Sequence, residues 1–240
     1  MHIAILMTNT DESDFAQQHP KDGEKFQALL RPLRPDWTFD VYPVKDAVFP
    51  ETLDGIDGVI ITGSPASVRS GEDWVTRLMD LIRLIAAQGI PMFGACFGHQ
   101  AIAQALGGSI SDNPGPFVLG VVETRVTHPA PWMTDAPVRL RVNAAHGEQV
   151  TRLPEGAQVL TSSAECPVGG FAIGDHVFTT EYHPEMTHGF ITALVGDLDG
   201  DVDDKVFADA KASLREPADR DLFARWIVQF FENAPGARRS

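Results

Sequence analysis

The chain is poor in cysteine and short of positive charge, and it has no long apolar run. Only Cys96 and Cys166 occur in 240 residues. That is too few for the disulfide framework of a small secreted protein. Lysine and arginine number 19 against 33 aspartates and glutamates, a formal net charge of −14. Such a deficit argues against nucleic acid or an anionic membrane surface as the main partner. No stretch approaches the roughly 20 apolar residues that span a bilayer. The opening Met1–Met7 lacks the basic flank and the length of a secretory leader. A reduced, cytoplasmic setting is expected. What is present is ordinary for a globular protein, with 43% hydrophobic and 22% charged residues. The length suits a single domain over residues 1–240 with a sizeable core.

The first hundred residues or so alternate between short apolar runs and helical patterns. Residues 2–7 read as a buried strand. Phe26, Leu29, Leu30 and Leu33 share one helical face, which Pro35 ends. Thr38–Tyr42 reads as a second strand, and Val59–Ile61 as a third that feeds the turn Thr62-Gly63-Ser64-Pro65. Trp74, Val75, Leu78, Met79, Ile82 and Ile85 mark another helix before the strand Pro91-Met92-Phe93. That order implies βαβ units, an α/β fold with a mostly parallel sheet. After Gly108 the pattern becomes strand-like. Val122, Thr124 and Val126 alternate with polar residues, as do Val138, Leu140 and Val142. Residues 171–178 suit a hairpin turning at Gly174-Asp175. This half is expected to be β-rich and partly antiparallel, ahead of a last helix marked by Leu222, Phe223, Trp226, Ile227, Phe230 and Phe231. The acidic run 196–204 lacks the glycine and glutamate of a calcium loop and is expected to be solvated.

Chemistry points first to Cys96. Gly94-Ala95-Cys96-Phe97-Gly98 lies between an apolar strand and the helix that starts near Gln100. This is a nucleophile elbow with sulfur for oxygen. Small residues two before and two after let the backbone close sharply, and the helix N-terminus favours the thiolate. Cys166 has no such context and reads as a structural thiol. A cysteine nucleophile needs a base and a group to orient it. His183 in Tyr182-His183-Pro184-Glu185 stands at the carboxyl end of an expected strand, where sites in open α/β sheets collect. Glu185 lies across a rigid proline from it. No His-Glu-x-x-His and no paired cysteines suggest a metal.

Taken together these motifs resemble the class I glutamine amidotransferases. Cys96 sits in G-x-C-x-G-x-Q, His183-Pro184-Glu185 matches the family's H-P-E, and Gly63-Ser64-Pro65 stands where many members carry Gly-Gly-Pro. His146-Gly147-Glu148-Gln149-Val150 matches a fourth signature. The resemblance implies a flavodoxin-like three-layer fold with a small antiparallel β portion. It implies Cys96 as nucleophile, His183 as base and Glu185 as its orienter. It also implies an oxyanion hole from the N–H groups of Ser64 and Phe97, and substrate contacts at Gly63, Gln100 and Gly120. Two departures stand out. Ser64 replaces a glycine that tolerates φ > 0. Glu181 replaces a common glutamine, and could compete with Glu185 for His183, raise its pKa, or face solvent. His146 is expected to pack a loop beside the site, with substrate contact as the alternative.

The reaction implied is attack of Cys96 on a γ-glutamyl carbonyl, release of ammonia or an amine, and hydrolysis of the thioester to glutamate. That half-reaction needs no cofactor. The branch resembled includes free-standing γ-glutamyl peptidases and the glutaminase halves of GMP synthetases. The partner is thus a small γ-glutamyl substrate, with a separate synthase subunit as the alternative. A non-catalytic scaffold or regulatory member is the third reading. No P-loop is present for ATP-driven transfer.

Overall fold

The computed structural model describes residues 1–235. In chain order its elements are β1 (His2–Met7), α1 (Asp14–Gln17), α2 (Asp22–Leu30), β2 (Thr38–Pro43), β3 (Gly58–Ile61), α3 (Asp73–Ala87), β4 (Met92–Ala95), α4 (Phe97–Ala105), β5 (Ser109–Asp112), β6 (Val118–Val126), β7 (Arg139–His146), β8 (Glu148–Arg152), β9 (Ala157–Ser162), β10 (Gly170–Ile173), β11 (Val177–Thr180), α5 (His188–Asp197), α6 (Asp204–Ser213) and α7 (Arg220–Asn233). Nine strands form one sheet in the order β2-β1-β3-β4-β11-β10-β9-β6-β7. The first five run parallel. From β11 onward the pairs are antiparallel. β5 and β8 form a separate antiparallel pair.

The parallel strands read as continuous apolar runs because both of their faces are covered. Alternation along β1 shows this directly. Ile3 and Ile5 join one core with Phe26, Phe93, Trp226 and Phe230, beneath α2 and α7. Ala4 and Leu6 join the other with Leu78, Ile82, Phe97 and Ile102, beneath α3 and α4. The result is a three-layer α/β fold. Each fully buried side chain of this size stabilises it by roughly 1.5–3 kcal/mol. The expected hairpin at 171–178 is the β10–β11 pair.

Two helices in the second half depart from the β-rich expectation. α5 and α6 pack over β6, where Leu119, Ile191, Val195 and Ala210 make a third small cluster. The acidic run ends α5 and starts α6, with the Asp203 carboxylate accepting from the Lys205 N–H at 2.9 Å. It thus serves in part as a helix cap.

Candidate active site

Four neighbouring parallel strands, β1, β3, β4 and β11, end on the same edge. The turns that follow them carry Thr8, Gly63, Cys96 and His183. Cys96 joins β4 to α4 at φ 48° and ψ −109°, a positive-φ conformation outside the regions open to side-chain-bearing residues. Such a position costs a side-chain-bearing residue of order 1–3 kcal/mol and persists only where its surroundings impose it. The surroundings do so here. The Cys96 N–H donates to the Thr180 carbonyl at 2.9 Å, and the Gly98 N–H donates to the Thr62 carbonyl at 3.1 Å. A Cβ on Gly94 would lie 2.6 Å from Ile102 Cδ1 and 2.7 Å from the Gly98 carbonyl. A Cβ on Gly98 would overlap the Ile61 carbonyl. Glycine is therefore required on both sides of the thiol. Cys96 also stands at the N-terminus of α4, whose first N–H groups have no partner within the helix.

His183 follows β11 by three residues. Its Nδ1 lies 2.7 Å from Glu185 Oε1, and both side chains are buried. The carboxylate can only accept, so Nδ1 carries a proton and donates. Among the described residues Nε2 has no hydrogen-bond partner of good geometry, although Cys96 is close enough to act on the ring's charge. Burial, the largest influence, pulls the His183 pKa down. The Glu185 carboxylate and the Cys96 sulfur outweigh it and hold the group well above the ordinary histidine value. The backbone is pinned from β7. His183 N–H donates to the Asn143 carbonyl at 2.9 Å, and the Asn143 amide donates to the Met186 carbonyl at 2.9 Å.

The turn after β3 lies against both groups. A Cβ on Gly63 would stand 2.8 Å from His183 Cε1 and 3.6 Å from Cys96 Cβ. The turn is held by a buried threonine pair. Thr8 N–H donates to Thr62 Oγ1 at 3.0 Å, and the Thr8 hydroxyl lies 3.0 Å from the carbonyl oxygens of Thr62 and Gly63. Ser64 is not in the left-handed region, so the loss of a glycine there costs no backbone strain. Its hydroxyl instead accepts from the Ala66 N–H at 3.1 Å. Cys96 and His183 open on a cleft of about 570 Å³, which Ser64, Gln100, Phe117, His146, Phe15 and Phe190 also line.

The profile of the family described as glutamine amidotransferase class-I matches residues 28–193. The chain belongs to that family. Among its relatives is "Gamma-glutamyl peptidase 3" of Arabidopsis thaliana, 30% identical over 205 residues that cover 81% of this chain and 82% of the relative. The "GMP synthase [glutamine-hydrolyzing]" of Aeropyrum pernix is 32% identical over 138 residues, 58% of this chain and 26% of that protein. A solved glutamine amidotransferase from Thermotoga maritima shares the fold with a TM-score of 0.77 at 18% identity, covering 96% of this chain and 98% of that one.

Within this amidotransferase fold, the remaining residues singled out in the sequence fall in different places. Phe97 is the first residue of α4, directly after the thiol. Gln100 is buried at the cleft floor, and its amide donates both to the Glu148 carbonyl at 3.1 Å and to Glu181 Oε1 at 2.9 Å. Gly120 lies away from the cleft. Its φ is 95°, and a Cβ there would meet the backbone of Ala210 in α6 at 3.1 Å. Glu181 does not face solvent. It is fully buried, with Oε2 3.5 Å from His99 Nε2. His146 packs beside the site, its Nδ1 donating to the Glu148 carbonyl at 3.0 Å. Burial lowers its pKa to about 4, so the ring is neutral. Cys166 is buried, and burial pushes its thiol well up. Thr8, Thr62 and Asn143 were not found from the sequence. They carry no motif, and only their buried hydrogen bonds distinguish them. Among the described residues no group of three or more His, Cys, Asp or Glu side chains could hold a metal ion. No described helix is long and apolar enough to cross a membrane.

Proposed function

We propose that the protein is a cysteine hydrolase that releases glutamate from a γ-glutamyl compound through a thioester on Cys96. The observation that carries this reading is the strained thiol at a helix N-terminus, sharing a cleft with an imidazole fixed by a carboxylate. Cys96 attacks the γ-carbonyl as thiolate. The N–H groups of Phe97 and Ser64 stabilise the oxyanion; both belong to turns already fixed by hydrogen bonds, so no reorganisation is needed. His183, oriented by Glu185, protonates the leaving amine from Nε2. Stripped of that proton, it then takes one from water as the water attacks the thioester. The half-reaction uses no cofactor.

The size of the cleft favours a leaving group larger than ammonia. It continues past the thiol to Phe15, His19 and Phe190, whose rings pack with centroids 4.5 to 5.7 Å apart. A γ-glutamyl peptide or amide would place its leaving amine along that wall. The second reading is a glutaminase subunit that passes ammonia to a separate synthase, favoured by the match to part of a GMP synthase. Both thiols are free, the state that a reducing compartment such as the cytoplasm maintains.

Glutamate release from glutamine and from a panel of γ-glutamyl amides and peptides, with Cys96→Ala as control, tests the proposal. Turnover of a γ-glutamyl compound well above that of glutamine supports the stand-alone hydrolase. Slow turnover of glutamine alone supports the subunit reading. No release from any of them, with Cys96 inert to iodoacetamide, refutes both.

A further inference from the structure

Behind Cys96 lies a chain of buried polar groups that the proposed reaction does not use. It starts at Thr179, whose hydroxyl lies 3.0 Å from the Phe171 carbonyl and accepts from the Phe171 N–H. We assign the hydroxyl proton to that carbonyl, so that the hydroxyl accepts from His99 Nδ1, 2.8 Å away. His99 Nε2 is then a bare lone pair. It faces Glu181 Oε2 at 3.5 Å, with the Val168 carbonyl also beside the ring, and among the described residues neither atom has a closer hydrogen-bond partner. Two acceptors would repel here, so a proton must lie between them. Burial pushes His99 down to about 3 and pushes Glu181 well up, which places that proton on Glu181. The other carboxyl oxygen accepts from Gln100 at 2.9 Å, and the second Gln100 N–H reaches the Glu148 carbonyl at 3.1 Å. Both amide protons of Gln100 are thus turned inward. Its carbonyl oxygen is the atom left for the cleft that Gln100 lines.

We propose that Glu181, as a neutral acid, is a positioning residue that holds the Gln100 carbonyl toward the cleft as acceptor for the α-ammonium group of a γ-glutamyl substrate. This rests on the γ-glutamyl reading above. The groups around Glu181 are His99 and Gln100 from α4, Cys96 from the elbow, His183 and Tyr182 beside it in the chain, Glu148 from β8 and Cys166 from the turn before β10. Glu148 and the thiolate each oppose a further negative charge, and the neutral acid removes that conflict. A glutamine at 181 could replace it, with its oxygen toward Gln100 and its amide toward His99. A leucine could not.

Two measurements test the assignment. The first compares KM for a γ-glutamyl substrate and for the glutaryl analogue that lacks only the ammonium group. Glu181→Leu raises KM for the γ-glutamyl compound by about tenfold, the loss of one oriented hydrogen bond to a charged group. It leaves the glutaryl compound unchanged, and Glu181→Gln restores the difference. An equal rise for both compounds reveals a merely structural role and overturns the proposal. Should Glu181→Leu fail to fold, Glu181→Met makes the same test. The second measurement needs no substrate. The pH profile for iodoacetamide alkylation of Cys96 is the same in Glu181→Gln as in the parent. A shift of its midpoint downward by about one unit would mean that a negative charge had been removed beside the thiolate. Glu181 would then be ionised and the proposal wrong, whichever substrate the enzyme uses.

Discussion

Replacing Gly63 by alanine tests the site geometry most directly. The added Cβ would lie 2.8 Å from His183 Cε1 and 3.4 Å from its Nδ1. Carbon atoms pack best at about 3.5–4.0 Å, so the ring must retreat by about 0.7 Å or more. It is held by Glu185 at 2.7 Å and by the backbone bond to Asn143 at 2.9 Å. The retreat therefore comes at the expense of the ring's alignment with Cys96. A misplacement on the order of 1 Å costs about 10²-fold in rate. The backbone gives no reason for instability, because Gly63 is not in the left-handed region. Alanine in a compatible conformation stabilises by about 0.4–1 kcal/mol through the unfolded state, which offsets part of the clash. The melting temperature should therefore stay within about 4 °C of the parent. The assay is kcat/KM for glutamate release beside thermal unfolding of the same sample. Activity within about threefold of the parent would refute the placement of the His183 ring. A collapse of Tm alongside activity would refute the separation of site from fold.

Other expectations follow from the same geometry. Cys96→Ser should lower glutamate release by on the order of 10⁴-fold or more with an unchanged circular dichroism spectrum, and a mild loss would exclude sulfur as the nucleophile. Iodoacetamide should add to Cys96 and not to Cys166, since Cys166 is 1% exposed and burial pushes its thiol up; peptide mass spectrometry showing equal labelling would contradict this. Glu185→Gln removes a negative charge that stabilises the imidazolium of His183. His183 then gives up its proton at lower pH, and the alkaline limb of kcat/KM should move acidward by roughly 1–3 units. An alkaline limb that stays in place would show that His183 is not the leaving-group acid.

The sequence reveals the parts of the site that are local in the chain. Cys96 stands out because Gly94 and Gly98 flank it, and the structure shows what a side chain at either would strike. Glu185 reaches His183 across one proline, so the pair is visible as a triplet. The parallel strands are visible because burial on both faces leaves them uniformly apolar. α5 and α6 were not legible. α5 contains Gly189 and Gly196, which weaken a helical pattern by about 1 kcal/mol each, and α6 buries only Ala210. Their apolar positions, Phe190, Ile191, Leu194 and Val195 in α5 and Val206, Phe207 and Ala210 in α6, do fall at helical spacing, but each stripe is short and interrupted by the acidic run between them. The setting of Glu181 was illegible for another reason. Its partner Gln100 is 81 residues away in the chain, and whether a carboxyl group at that point is ionised depends on what surrounds it in space. Gly120 is likewise set by a distant contact, since a Cβ on its left-handed backbone would meet Ala210 of α6.

The division of the sheet explains how the site keeps its shape. β1, β3, β4 and β11 are adjacent and parallel, so turns from residues 8, 62–64, 96 and 181–185 meet at one edge. Adjacency alone leaves one side of such a cluster open. β7 lies four places from β11 in the sheet order, yet Asn143 in its middle binds the His183 backbone. The antiparallel extension must therefore curl back over the strand ends, as the twist of neighbouring strands accumulates. It brings Ala145 and His146 to the cleft as a wall, with Glu148 of the separate β5–β8 pair beside them. The parallel half thus supplies the thiol, the imidazole and the turn beside them, and the antiparallel half fixes where the imidazole stands. Changes in that second half can alter substrate fit while leaving the backbone of the Cys96 elbow in place, because the elbow's backbone bonds run to Thr180 and Thr62, while the thiol itself reaches the Ala145 carbonyl of β7 at 4.0 Å.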